Sequence, residues 1–277
     1  MRAVLLVLVG AIGMQISAVL AMSLFDRLGV MQVSSLRFAL AAIVLLIVFR
    51  PRLRGRSRRE WLGIILYGVA LAAMNVSLYL AIDRIPLGIA TTIEFLGPCL
   101  VALAASRHKG DVLLAVAALG GVALIAGLGG PLDLLGMVFA AIAAACFGLY
   151  TVLAAKIGKS SSGIASVALS VSVAAIVTLP ISVSAAPQVQ PADWGILLTS
   201  GTIGMALAIV VDTLAARLTS ARVLGVFFAF DPMVGTILGV LWLGQVLTLS
   251  AFAGIALVVF AGAGIVWLAG RRETTYT

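Results

Sequence analysis

Glu94 lies in the middle of an apolar stretch, PLGIATTIEFLGPCLVALAAS (86–106), with Pro98 four residues further on. A carboxylate at the centre of a membrane-spanning helix costs about 2.5–3.5 kcal/mol on insertion scales, so such residues face a cavity, a partner or a substrate path. Pro98 has no N–H, which leaves the carbonyl of Glu94 without its helical donor. One position therefore offers both a carboxylate and a free backbone oxygen, an arrangement that membranes tolerate only where protein or water satisfies it. The face around Glu94 (Ala90, Thr91, Gly97, Pro98) is small. It leaves room for a solute, or for another helix to pack closely. The functional reading is a substrate or proton site, with Thr91 and Phe95 beside it. The competing reading is a structural Glu–Arg pair and a harmless kink.

Other polar residues in apolar surroundings also need a reason. Arg37, in VMQVSSLRF, either snorkels outward or pairs with an acid inside, Glu94 being the leading candidate. Asn75 and Tyr79 are one helical turn apart and share a face. They bind a solute or make interhelical hydrogen bonds. Asp231 precedes Pro232 and lies deep enough to need a partner; Pro232 frees the carbonyl of Phe228. Tyr150 lines a cavity or belongs to an interfacial belt. Asp212, near the end of IVVDTLAAR, pairs with Arg217 or Arg222 as part of a gate, or simply sits at the interface.

These residues must be carried by membrane helices. The 277-residue chain is 63% hydrophobic and 10% charged, against about 25% charged in soluble domains. At about 20 apolar residues per crossing, ten spans are expected, roughly at 3–24, 32–49, 61–82, 87–106, 111–127, 133–155, 163–184, 193–214, 221–243 and 248–269. Short connections make successive helices antiparallel neighbours. The loop RPRLRGRSRRE holds six arginines, Arg50 to Arg59, and fifteen of the 18 basic residues fall on that side of a ten-span chain. The other side has only Arg27 and Arg84, and Arg37 lies within the second span. The positive-inside rule then makes the arginine-rich loop and both termini cytoplasmic.

The chain also divides into two five-helix halves, 1–130 and 131–277. Setting Pro98 against Pro232 brings Leu80–Ala81 onto Leu214–Ala215. An odd number of spans per half makes the repeats inverted, an architecture that places sites at the midplane near interrupted helices. Pro98 and Pro232 are the expected helix breaks.

Several classes are excluded. The net charge of +8 is spread between apolar spans, as juxtamembrane charge is, and does not form a nucleic-acid surface. Cys99 and Cys146 lie in apolar spans without metal-ligand spacing, so they form no disulfide framework and no metal site. No phosphate-cradling loop, nucleophile elbow or metal cluster points to an enzyme, and no cofactor is implied. The N-terminal apolar run continues through Ser23 and is read as a span, not as a signal peptide.

With Glu94, Asn75 and the ninth span in view, the sequence resembles the drug/metabolite transporter superfamily, in its ten-helix EamA-type branch, and in particular the bacterial threonine/homoserine exporter family. The resemblance covers nearly the whole chain and is densest in MNVSLYLAIDRIPLGIATTIEFLGPCLVAL (74–103). ACFGLYTVLAAK resembles the start of that family's second half. Asp212 and Asp231–Pro232 stand where those exporters have Glu and Glu–Pro, and Arg37 matches an arginine. Met22 stands where relatives often have Lys, and Gln245 replaces the Glu of an LGE segment. The resemblance implies a multi-pass protein of the bacterial inner membrane that exports small neutral amino acids, driven by protons. Its partners are the amino acid, protons and membrane lipid.

The resulting expectation is an all-α secondary transporter of two inverted five-helix repeats around a central cavity. A zwitterion needs an acid near its ammonium, for which Glu94 serves, and donors near its carboxylate, for which Arg37 and Asn75 serve. Glu94 is expected to exchange a proton during the cycle, with Asp231 the alternative. One rival is an exporter of drugs or other metabolites, favoured by Phe95, Phe227 and Phe228. The other is a non-transporting scaffold or sensor, disfavoured by the cost of several intramembrane acids.

Overall fold

A computed structural model of the chain describes residues 2–105, 109–128, 133–158, 163–211, 214 and 230–273. All regular structure among them is helical. The first half holds α1 (Arg2–Met22), the short α2 (Phe25–Leu28), α3 (Val30–Phe49), α4 (Arg58–Ile82), α5 (Leu87–Ala105) and α6 (Lys109–Leu128). The second half holds α7 (Leu134–Gly158), α8 (Gly163–Ala185), α9 (Pro191–Gly201), α10 (Phe230–Leu241) and α11 (Leu249–Glu273). Each expected span overlaps one of these helices. Five stretches have the length and apolar composition to cross a membrane: Val30–Phe49, Arg58–Ile82, Leu134–Ala154, Gly163–Gln188 and Pro191–Val211. Leu87–Val101, Asp231–Leu241 and Leu249–Gly264 are shorter apolar helices.

Local chemistry starts and stops the helices. Ser57 caps α4 with a reciprocal box: its hydroxyl accepts from the Glu60 N–H at 3.2 Å, and Glu60 accepts from the Ser57 N–H at 2.7 Å. Such a box satisfies two of the donors that every helix start leaves over. Asp133 does the same for α7, accepting from the Leu135 N–H at 2.8 Å. Gln190 and Asp193 box the start of α9, with Pro191 at its first position. Gly29, at φ +83, joins α2 to α3 in a conformation open to glycine.

Apolar residues lie on both surfaces of this bundle. Val33, Phe38, Tyr67 and Leu197 are buried, whereas Ile47, Leu113, Leu134 and Phe260 point outward. Outward apolar side chains at this frequency suit lipid, not water. With no hydrophobic drive between helices in lipid, close backbone approach holds them together. A side chain at Gly97 of α5 would run into the Ala144 carbonyl of α7. α4 packs on α7 and α8, α3 on α8 and α9, α6 on α11, and α10 on α1 and α5.

One departure from regular helix was not expected from sequence. After Gly201 the chain continues as a π-helical turn, Thr202–Leu207, a rare geometry that marks functional positions. α5, by contrast, runs on through Pro98. Pro232 stands in the first turn of the described part of α10.

Candidate functional site

A cavity of about 60 Å³ lies between α1, α3, α4, α5, α7, the π-turn and its continuation, and α10. At about 10–15 Å³ for each, it has room for roughly five water-sized groups. It brings together Glu94, Thr91, Arg37, Asn75, Tyr79, Tyr150 and Asp231 from five helices. These were expected on separate sequence grounds. Phe228, Asp212 and Arg222, also expected at the site or its gate, lie outside the described residues.

Arg37 is fully inside the protein, 2% exposed, so it does not snorkel outward. It makes no ion pair with Glu94 either; the ion pairs among the described residues are Arg27–Asp193 and Arg84–Asp133. Its Nη2 instead donates to Ser17 Oγ at 2.5 Å and to the Ser200 carbonyl at 3.3 Å. Its guanidinium lies over the Tyr79 ring, 5.0 Å from the centroid. Arginine prefers such aromatic faces because it is weakly hydrated and planar. Ser17 Oγ in turn donates to the same Ser200 carbonyl at 2.7 Å. Gly204 of the π-turn sits against Ser17 and Arg37 where a side chain would collide with both. The irregular turn thus makes room for the arginine. Nε and Nη1 remain, buried and without a hydrogen-bond partner among the described residues.

Glu94 is also buried, at 8% exposure, and its Oε1 has no hydrogen-bond partner there. A buried unsatisfied polar atom costs about 1–3 kcal/mol, more when charged. Two such groups of opposite charge type thus lie on one small cavity. Asp231 shares the cavity and lies near enough to Glu94 for the two carboxylates to repel each other when both are ionised.

Around them the polar groups are largely committed. Asn75 Oδ1 accepts from Ser34 Oγ at 3.0 Å, the interhelical bond that was the alternative to solute binding. Asn75 lines the cavity as well. The Thr91 hydroxyl donates back to the Leu87 carbonyl at 2.9 Å. Tyr79 meets Phe25 edge-on at 5.4 Å, and Tyr150 stacks on Tyr67 at 5.0 Å, which fixes both rings.

Phe95 does not line the cavity. It is turned to α11, where a side chain at Gly262 would lie 2.5 Å from its ring. The reason is helical: adjacent residues point about 100° apart, so Phe95 and Glu94 cannot share one face. Cys99 meets the same glycine, and both cysteines are free thiols.

Sequence reasoning passed over Gln15, Ser17, Ser200 and three methionines. Gln15 lines the cavity and donates to the Asp231 carbonyl at 3.0 Å, tying α1 to α10. It is the one amide in the first apolar run, which was the available signal. Met14, Met74 and Met205 supply apolar wall.

At the end of the bundle away from the arginine-rich loop, Arg84 donates to Asp133 at 2.7 Å, and Arg27 pairs with Asp193. The Arg84 hydrogen bond holds the Asp133 carboxyl below the usual carboxylate range, aided by the Leu135 and Gly136 N–H groups.

Residues 1–130 and 134–267 each match the EamA-like transporter family. The chain is 32% identical over 280 residues to a threonine/homoserine exporter, RhtA, of Salmonella typhimurium, spanning 98% of this chain and 92% of that protein. The Escherichia coli K12 protein of the same name is 30% identical over 277 residues, with 98% and 93% covered. An uncharacterised Bacillus subtilis transporter, YvbV, is 25% identical over 244 residues, with 82% and 79% covered. A solved structure titled only as a crystal structure of a protein superposes with a TM-score of 0.67 at 19% identity over 98% of both chains, a likeness of fold.

Proposed function

The chain belongs to the EamA-like transporter family and is a membrane transporter, not an enzyme; from that premise we propose that it exports small neutral amino acids, threonine and homoserine among them, by exchange for protons. The observation that carries this reading is the pairing of Arg37 and Glu94 on one cavity, each with buried atoms to spare. An amino acid's carboxylate accepts a charge-assisted hydrogen bond from one of the spare Arg37 nitrogens, Nη1 or Nε. Its ammonium takes Glu94. Asp231 and Asn75 stand beside them.

The coupling follows from the same carboxylate. Ionised, Glu94 attracts the ammonium; protonated, it releases it. Proton and substrate then compete for one group, which yields antiport without a second site. The cavity has room for roughly five water-sized groups, which favours a small solute over a bulky drug. The wall of Met14, Met74, Met205 and Phe147 favours an apolar portion on whatever binds, so other small metabolites are the second reading.

The architecture we propose is ten spans in two inverted halves, 1–130 and 131–277, with both termini and the arginine-rich loop cytoplasmic, in the bacterial inner membrane. Two packing relations support it. α4 lies on α7 as α9 lies on α1, and α5 lies on α7 as α10 lies on α1. Exchanging the halves interchanges the members of each pair.

Uptake of a labelled amino-acid panel into inverted vesicles, with and without a pH gradient, tests the function. Threonine and homoserine should accumulate only when the interior is acid. Accumulation of bulky cations alone would replace this reading with the drug-export one.

A further inference from the structure

The start of α5 is held from a distant part of the chain. A helix leaves its first four N–H groups without partners of its own. In α5 the Pro86 carbonyl takes two of them, Ile89 and Ala90, each at 3.0 Å. Leu87 is completely buried, so water does not reach its N–H. That N–H donates to Gln245 Oε1 at 3.1 Å, across 158 residues of sequence, from the turn between α10 and α11.

Gln245 is itself built into place. Gly244 adopts φ +61 to turn the chain. The Gln245 N–H donates to the Gly239 carbonyl at 3.0 Å. At Gly239 a Cβ would lie only 2.5 Å from Gln245 Oε1, so glycine there leaves the amide its channel to Leu87. Below this contact α5 and α10 touch almost backbone to backbone. Gly88 leaves no space between itself and Thr236, and a Cβ at Gly235 would lie 2.9 Å from Thr91 Oγ1. Leu87 and Thr91 both line the cavity, and Glu94 follows one turn later.

We infer that Gln245 is a positioning residue of the transport site: its amide oxygen fastens the end of α5 to α10, keeping the cavity shut at the end away from the arginine-rich loop. The inference rests on the cavity being the transport site, but its test does not. Gln245 touches no cavity atom itself and acts through the Leu87 N–H. Glutamate keeps an acceptor in the same place and suits the positive end of a helix; leucine and methionine keep the bulk and lose the acceptor.

The probe is a membrane-impermeant maleimide, applied to either face of membranes holding the full chain with Cys99 and Cys146 changed to Ala and a reporter Leu87→Cys. The reporter alone should label slowly. Adding Gln245→Leu should speed labelling about ten-fold, the order expected for one hydrogen bond lost from the closed state. Gln245→Met should do the same, and is the variant to read if the leucine form does not assemble. Gln245→Glu should restore slow labelling. Unchanged labelling in the acceptor-free variants, or fast labelling with glutamate, would overturn the assignment. No substrate is involved, so failure of the amino-acid reading would leave this result standing.

Discussion

The guanidinium of Arg37 lies over the Tyr79 ring, 5.0 Å from its centroid, while Ser17 and Ser200 hold a single one of its nitrogens. The arginine is thereby held at Nη2, while its Nε and Nη1 have no hydrogen-bond partner among the described residues. Among the described residues no acid forms an ion pair with it; in the proposed function an anionic group of the solute would complete it. A guanidinium already held in place in this way loses little entropy when an acceptor arrives.

Arg37→Lys should therefore fail as a conservative change. It keeps the charge but loses the planar guanidinium and its spare Nη1 and Nε donors, and charge-assisted hydrogen bonds are worth about 1.5–3 kcal/mol, so KM for export should rise about ten-fold or more. Tyr79→Phe should stay near wild type and Tyr79→Leu should raise KM several-fold, the ring face being worth about 0.5–2 kcal/mol. Initial rates across a substrate series measure both.

Gly97→Val should destabilise the bundle. Its side chain would meet the Ala144 carbonyl, forcing α5 off α7, and overpacking of this type costs about 1–3 kcal/mol. The detergent-solubilised variant should melt at a lower temperature. Gly120→Ala, where a Cβ meets nothing within 4 Å, should melt as the parent does.

Topology is open to a direct check at Leu53, an exposed residue of the arginine-rich loop. A cysteine there, in a chain lacking Cys99 and Cys146, should resist an impermeant thiol reagent in intact cells and react in inverted vesicles. The reverse pattern would turn the bundle over.

The Arg84–Asp133 contact gives a pH dependence of known sign. The Asp133 pKa is lowered in the folded protein, below the value of about 3.9 for a free aspartate. Its contribution is therefore complete above pH about 4 and disappears as pH falls through the lower folded value. Arg84→Gln should melt slightly earlier than the parent at pH 7, and the gap should narrow on acidification below pH about 4. A gap that widened with acid would assign the contact differently.

The helices and the cavity acids were legible because each leaves a signal in one dimension. Apolar runs of bilayer length mark spans, and an ionisable residue inside one marks a site. The partners of Arg37 were not legible. An arginine and a glutamate within apolar spans suggest a pair, yet a hydroxyl, a backbone carbonyl and an aromatic face serve the arginine here, and none of these stands out in the sequence. Gln15 and Asp231 are 216 positions apart, and nothing local links them. Phe95 was a misreading of a signal that was present, since its neighbour Glu94 already claimed the cavity face. The π-turn beside Gly204 has no residue pattern of its own; the need to seat Arg37 explains it only once the fold is known.

The central claim is that Glu94 is the group over which proton and substrate compete. Glu94→Gln keeps the size and hydrogen bonding of the side chain and cannot ionise. The decisive measurement is uptake of labelled threonine into inverted vesicles under an imposed acid-inside gradient, with the variant inserted and melting like the parent. Uptake should fall to the level of empty vesicles. Wild-type uptake by Glu94→Gln under the same gradient would contradict the coupling and reduce Glu94 to a structural residue.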